Sequence, residues 1–349
     1  MNPSGPARVI ASAPSKVNLI LRVGATDEQG YHALATVFEA LSIREFVVAD
    51  LSGEAGGELP SVRTLVYEEQ VGEEPRLSSR LTRVFSELDP ESHLAVRAAR
   101  AMGGDSRVSL TVHKLVPIAG GMAGGSADCA ATLVAVNELL GLGFDLSRLQ
   151  AIGRTLGADV PACLVGGISL GTGRGDTMEV LHPGTVAPRP LSSWWVLVFS
   201  DRGLSTPRVF GALDELRERT VPTASSAAPT ITQGQLNALR EPDSPLELRD
   251  LLENELQDAA LSIRPELRVI GEHLVAMGCL TWLVSGSGPT VAGLAPGKDA
   301  ALRTARAVES QKPEGVRAVA VAWGPVPGAM IERTLPSWAD SMPGRNLTD

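Results

Sequence analysis

Four glycines in six residues, Gly120, Gly121, Gly124 and Gly125, open the stretch GGMAGGSADCAATLVAVNELL, which then reads as an uninterrupted apolar helix. A strand ending at Lys114, a glycine-dense loop and a helix starting near Ser126 would present free backbone N–H groups and the positive end of a helix dipole to an anion. Glycine removes the Cβ that would hold the backbone away from phosphate oxygens. A tight strand-to-helix connection would need one or two glycines, so four favour an anion site. Ser126 is the expected N-cap and also a candidate ligand for phosphate or a divalent ion, two compatible roles. Asp128, early in the helix, suits the dipole and reads as structural.

Known glycine fingerprints do not fit. A P-loop needs lysine after its last glycine, and Ser126 follows Gly125. GTGRG at Gly171 to Gly175 has the wrong spacing for a dinucleotide fold and opens no evident helix. An esterase elbow around Ser285 would need glycine at 283, where leucine stands.

The elements that must position this loop are those of a mixed α+β chain. Val9 to Ala11 and Val17 to Val23 read as two short strands around a kink at Pro14 and Ser15. Asp27 to Gly30 is a turn, and the segment after it could be helix or strand. Strands follow at Ile43 to Asp50, Val62 to Tyr67 and around Val108, Leu110 and Val112; Asp89-Pro90 caps a helix ending at Gly103-Gly104. After the glycine loop, Cys129, Leu133, Val136 and Leu140 recur at helical spacing, and Leu146 to Leu156 is a second helix. The Pro-rich run HPGTVAPRPLSS suggests a boundary, giving units of residues 1–185 and 186–335. Beyond it come a strand in WWVLVFS, helices over Pro207 to Arg219, Pro245 to Ala260 and Glu266 to Met277, strands in TWLVSGSG and at Val291 to Leu294, a helix from Asp299 and a strand in VRAVAVAW. The tract Thr220 to Thr232 reads as a loop, and residues 336–349 as a frayed, disordered tail.

Composition narrows the class. A formal charge of −9 and the absence of a basic run argue against a nucleic-acid partner. No apolar stretch approaches the roughly 20 residues of a membrane helix, and the first residues lack the apolar core of a signal peptide, so the expectation is a cytoplasmic protein without a membrane partner. Cys129, Cys163 and Cys279 read as small core residues, and the five histidines form no zinc pattern.

With SAPSKVNLIL near the start and VSGSGPTVAGL near the end, the glycine loop resembles the GHMP kinase superfamily, whose phosphate loop follows a pattern close to P-x-x-x-G-L-G-G-G-S-S. Here it runs Pro117, Ile118, Ala119, Gly120, Gly121, Met122, Ala123, Gly124, Gly125, Ser126, Ala127. SKVNL, GYHAL and GADVPACLVGG further resemble the branch acting on a cytidine diphosphate-linked alcohol of non-mevalonate isoprenoid synthesis. The resemblance covers about residues 10–45 and 90–330.

It implies an α+β GHMP kinase fold, with a ribosomal-protein-S5-like N-terminal domain, a ferredoxin-like C-terminal domain and a cleft between them. It implies an ATP-dependent kinase using Mg²⁺ to phosphorylate a 2-hydroxyl. By motif position Asp159 falls on the catalytic aspartate and Lys16 on its lysine partner; as residues alone, Asp159 is equally a helix cap beside Pro161. The loop from Pro117 to Ala127, with Lys114 and His93, would bind ATP, and Ser126 would touch the metal. Tyr31 would stack on the cytosine, His32 would read its polar edge, Phe210 is a second stacking aromatic or a helix core residue, and Asn18 is a polar contact near Lys16. Met122, Ala123 and Ala127 depart from the usual Leu, Gly and Ser of the loop, and His93 stands where Asn is common. Rival readings are another GHMP small-molecule kinase, for homoserine, mevalonate or a sugar, and a non-catalytic nucleotide-binding regulator. Oligomeric state is not legible.

Overall fold

Arg8–Thr26 (β1) forms one strand of 19 residues, where the sequence suggested two. Pro14 has no N–H to donate, but the antiparallel ladder to His32–Leu51 (β2) absorbs it as a register shift between Pro14 and Ser15. The ambiguous segment after the turn is thus strand throughout. The computed structural model describes residues 6–51, 59–68, 71–117, 120–220, 228–240, 242, 244–311 and 313–340.

Next come Ser61–Glu68 (β3), Arg76–Leu77 (β4) and Ser79–Ser86 (α1). The helix expected after Asp89 is interrupted: Asp89 caps a single 3₁₀ turn, Pro90–Ser92, and His93 returns to extended backbone and caps Leu94–Ala101 (α2). Val108–Lys114 (β5) lies between β2 and β3. Gly124–Leu139 (α3) is buried on all sides rather than along one stripe, with Ala127, Ala130, Ala131 and Ala135 joining Cys129, Leu133 and Val136 in the core. Those small side chains let α3 pack against β1, β2, α2, Leu146–Leu156 (α4) and Val160–Val165 (α5) at once. The hairpin Ile168–Thr172 (β6) and Thr177–His182 (β7) extends β2.

Ser193–Ser200 (β8) starts a second sheet. It is followed by Thr206–Thr220 (α6), Gln233–Arg240 (α7) and Pro245–Leu251 (α8). The helix expected over Pro245 to Ala260 is two, because Glu253–Asn254 (β9) pairs in parallel with β1 before Gln257–Ile263 (α9) begins. Glu266–Ala276 (α10), Thr281–Val284 (β10), Val291–Ala295 (β11), Lys298–Gln311 (α11) and Val316–Gly324 (β12) complete that half. The order β10-β11-β8-β12, with every pairing antiparallel, is the ferredoxin-like arrangement.

The chain then returns: Met330–Glu332 (β13) pairs with β1 at the edge of the nine-stranded sheet. Arg44 fixes this return, donating to the carbonyls of Pro327 and Gly328 at 2.8 and 2.7 Å. Ser337–Asp340 (α12) gives the expected tail a helical start, with Trp338 edge-on to Tyr67 at 4.7 Å between ring centres. Residues 341–349, and 221–227 of the Thr/Ser/Ala/Pro tract, lie outside the described residues. The three cysteines are free and buried, as expected. No helix among the described residues is long and apolar enough to cross a membrane.

One apolar core unites the two sheets: Val17, Leu19, Val37 and Leu41 pack with Trp195, Leu197, Ala292 and Ala320. A carboxyl lies within it. Glu39 is 1% exposed and accepts from Trp195 Nε1 at 2.8 Å and Ser193 Oγ at 2.6 Å. Burial pushes it from an ordinary 4.5 to about 7, against the opposing effect of those two bonds. Between these values the folded chain holds a proton that the unfolded chain has lost, so this group's contribution to stability declines as pH rises through the window. Glu39→Gln should therefore be more stable than the parent at pH 8 by about 1–3 kcal/mol, with the difference closing toward pH 4.5. Urea unfolding at both pH values measures it; an equal difference at both would refute the titration.

Candidate active site

Because side chains two apart on a strand share a face, Lys16 and Asn18 on β1 and Thr36 and Phe38 on β2 line one cleft of about 900 Å³. Its other walls are the start of α3, residues 154–159, the β6–β7 turn, the first turns of α6 and the loop holding Gly286 and Ser287.

Lys16 is 5% exposed. Its Nζ donates to Asn18 Oδ1 at 2.8 Å and to the Gly121 carbonyl at 2.9 Å, and lies 3.7 Å from Asp159 Oδ2. Asn18 is itself oriented. Thr36 Oγ1 donates to the Ile20 carbonyl and so accepts from Asn18 Nδ2, which turns Asn18 Oδ1 toward the lysine. Asp159 occupies the N-cap position of α5, yet its side chain makes no capping bond. The carboxylate is half-buried and faces Lys16 across the cleft wall.

The glycine loop bends over this pair. Gly121 has φ +75°, and a Cβ there would meet the Ser285 carbonyl at 2.2 Å. Ser285 Oγ donates to the Gly121 carbonyl at 3.1 Å and Thr290 N to that of Gly120 at 3.3 Å. Asn254 Nδ2 braces the Ser285 loop through the carbonyls of Val284 and Gly286 at 2.7 and 2.8 Å. The N-cap of α3 is Ala123, three residues before the expected Ser126. Ala123 has φ +60°, a left-handed conformation that a Cβ makes costly.

Of the stretch expected to hold ATP, Gly121, Ala123 and Ser126 line the cleft. Met122 and Ala127 turn into the core, Gly120 is buried and Pro117 lies half-buried beside it. Gly124 faces away, since a Cβ there would meet Val116 at 3.0 Å and Glu45 Oε1 at 3.2 Å. Ile118 and Ala119 lie outside the described residues.

Lys114 does not line the cleft. It is 3% exposed beneath the loop, its Nζ bonded to Asp128 Oδ2 at 2.7 Å and Glu45 Oε1 at 2.9 Å. Burial works against its charge, but the two carboxylates outweigh burial and hold it above the ordinary lysine value. Glu45 also accepts from the N–H groups of Leu115 and Val116; burial first, with the charge of Asp128, pushes it to about 8 against the pull of Lys114. His93 is likewise engaged elsewhere: Nδ1 accepts from Ala95 N at 3.2 Å, and Nε2 bonds Thr64 Oγ1 at 3.0 Å. Burial lowers its pKa and keeps it neutral.

At the far end of the cleft Tyr31 is 56% exposed, with the Arg174 guanidinium 3.9 Å from its ring centre. His32 stacks on Phe210 at 4.9 Å and bonds Asp214 through Nε2 at 2.9 Å. Phe210 thus lines the cleft rather than only a helix core. Asp214 and Arg174 were missed in the sequence. Asp214 was findable, because it follows Phe210 by one helical turn; Arg174 reaches Tyr31 only through the tertiary fold.

Among the described residues no three His, Cys, Asp or Glu side chains group to hold a metal ion. Ser126, an oxygen donor on the cleft wall beside the helix start, suits an ion that takes few protein ligands and most of its shell from phosphate and water.

Residues 93–167 match the family model of the GHMP kinases N-terminal domain, and residues 236–314 that of the GHMP kinases C-terminal region. The chain is 41% identical over 336 residues to the 4-diphosphocytidyl-2-C-methyl-D-erythritol kinase of Nocardia farcinica, covering 93% of this chain and 97% of that protein. It is 42% identical to the enzyme of the same name from Salinispora tropica, covering 94% and 95%. A crystal structure of 4-(cytidine 5'-diphospho)-2C-methyl-D-erythritol kinase superposes with TM-score 0.63 at 27% identity, over 90% of this chain and 98% of that one. L. major mevalonate kinase, at TM-score 0.66 and 15% identity over 92% and 96% of the two chains, shares the fold. On identity, coverage and fold together, the chain belongs to the 4-diphosphocytidyl-2-C-methyl-D-erythritol kinase family of the GHMP kinases.

Proposed function

We infer that the protein catalyses ATP-dependent phosphorylation of the 2-hydroxyl of 4-diphosphocytidyl-2-C-methyl-D-erythritol, in non-mevalonate isoprenoid precursor synthesis. The observation that carries the chemistry is Asp159, free of capping bonds, facing a buried Lys16 fixed by Asn18 and the glycine loop. A non-catalytic regulator would have no use for that pair.

Asp159 accepts the proton of the hydroxyl as its oxygen bonds to the γ-phosphorus and the bond to the departing ADP oxygen breaks. Lys16 holds the carboxylate in place and offsets negative charge near the transferred group. The loop's N–H groups at the start of α3 bind and orient the phosphates, with Ser126 beside them. Ser126 and the phosphates would hold Mg²⁺, which when bound neutralises phosphate charge. Tyr31, His32 and Phe210 would receive the cytosine. We assign residues 1–185 as the unit carrying the catalytic pair and phosphate loop, residues 186–335 as the unit that completes the cleft, and the cytoplasm as the working compartment.

Asp159→Asn should lower kcat by about 10²–10⁴-fold while ATP affinity changes little. Coupled ADP release, with nucleotide binding measured separately, checks this; near-normal turnover would eliminate the proposed base. Ala123→Gly should relieve the left-handed strain and raise stability by about 0.5–1 kcal/mol, read from denaturant midpoints; an unchanged or lower midpoint would argue against that strain.

A further inference from the structure

Asp214 is a carboxylate on the cleft wall with no role in the chemistry above. It lies on α6 one turn beyond Phe210, lines the cleft with it, and its side chain is 45% exposed. Among the described residues its one hydrogen bond joins Oδ1 to His32 Nε2 at 2.9 Å. The arginines nearby on α6 are engaged elsewhere, Arg217 with Glu255 and Arg219 with Glu215. The His32 side chain is only 8% exposed and is clamped between Asp214 and the Phe210 ring, so the carboxylate is held in position by a rigid neighbour. Among the described residues its second oxygen, Oδ2, makes no hydrogen bond.

We propose that Asp214 makes the base end of the cleft selective for a pyrimidine bearing an exocyclic amine over one bearing a carbonyl at the same position. The proposal rests on the reading that the base lies against Tyr31, His32 and Phe210. An ionised carboxylate accepts hydrogen bonds and donates none. It rewards the amine of cytosine, whereas the corresponding carbonyl of uracil would face it acceptor to acceptor. The donor across the site, Arg174, cannot reverse this preference readily, because it is stacked on Tyr31 and bonded to Asp27 at 3.0 Å and Gln29 at 2.7 Å. His32 would then have two tasks: bearing on the base and holding Asp214.

The test compares kcat/KM for the cytidine substrate with that for its deaminated, uridine-linked counterpart, in the parent and in Asp214→Asn. Asparagine keeps the size and an acceptor for His32 while offering an amide donor to a carbonyl. The parent should favour the cytidine compound by about 100-fold or more, and Asp214→Asn should shrink that ratio by about 10- to 100-fold, partly by gaining activity on the uridine compound. Asp214→Ser serves as a second variant should the first fold poorly, with the ratio again expected to shrink. A parent that uses both compounds equally, or variants that lose the same factor on both, would overturn the proposal. Tyr31→Ala and Phe210→Ala separate the two levels. If they raise KM for the cytidine substrate about 10-fold while Asp214→Asn leaves the ratio intact, only the role of Asp214 fails; if they leave KM unchanged, the base site itself is misassigned.

Discussion

A single lysine ammonium joins three segments that are far apart in sequence. Lys16 reaches from β1 to the Gly121 carbonyl, to Asn18 and toward Asp159, so the strand, the glycine loop and the start of α5 share one buried charge. A cation excluded from water requires compensating partners, and here they are a carbonyl, an oriented amide and a carboxylate. The left-handed Gly121 is part of the same arrangement. Without a Cβ it lets the Ser285 loop come close enough to fix the carbonyl that Lys16 needs.

Below the loop lies a second ionic cluster, with two carboxylates sharing the ammonium of Lys114. It ties β2, β5 and α3 together directly under the helix start. The charge of Lys114 is thus consumed by its own buried partners and is not offered to the loop above, where any attraction for an anion falls to the backbone N–H groups and the helix dipole.

Much of this arrangement was legible in the sequence. Four glycines before an apolar helix marked the loop that bends over the cleft, and the order of motifs carried Lys16 and Asp159 to one place. Hydrophobic period gave most strands and helices. The failures came where tertiary pairing overrode local signals: Pro14 did not break β1 because a register shift absorbed it, and β9 split a helix because β1 supplied a partner. Lys114 and His93, expected to contact ATP, are both engaged with buried partners, which local sequence does not reveal for a related reason. A polar residue near a binding loop can face a ligand or hold up the loop, and only buried partners such as Asp128 and Thr64 distinguish the two.

The pairing of β13 with β1 has a consequence for the order in which the molecule can be made. During synthesis β1 keeps its edge at Ile10, Ala11 and Ser12 without its final neighbour until residues 330–332 emerge from the ribosome. Open strand edges invite pairing with other chains. The nascent protein must carry this edge through translation, and the N-terminal half cannot reach its finished form as an independent early product.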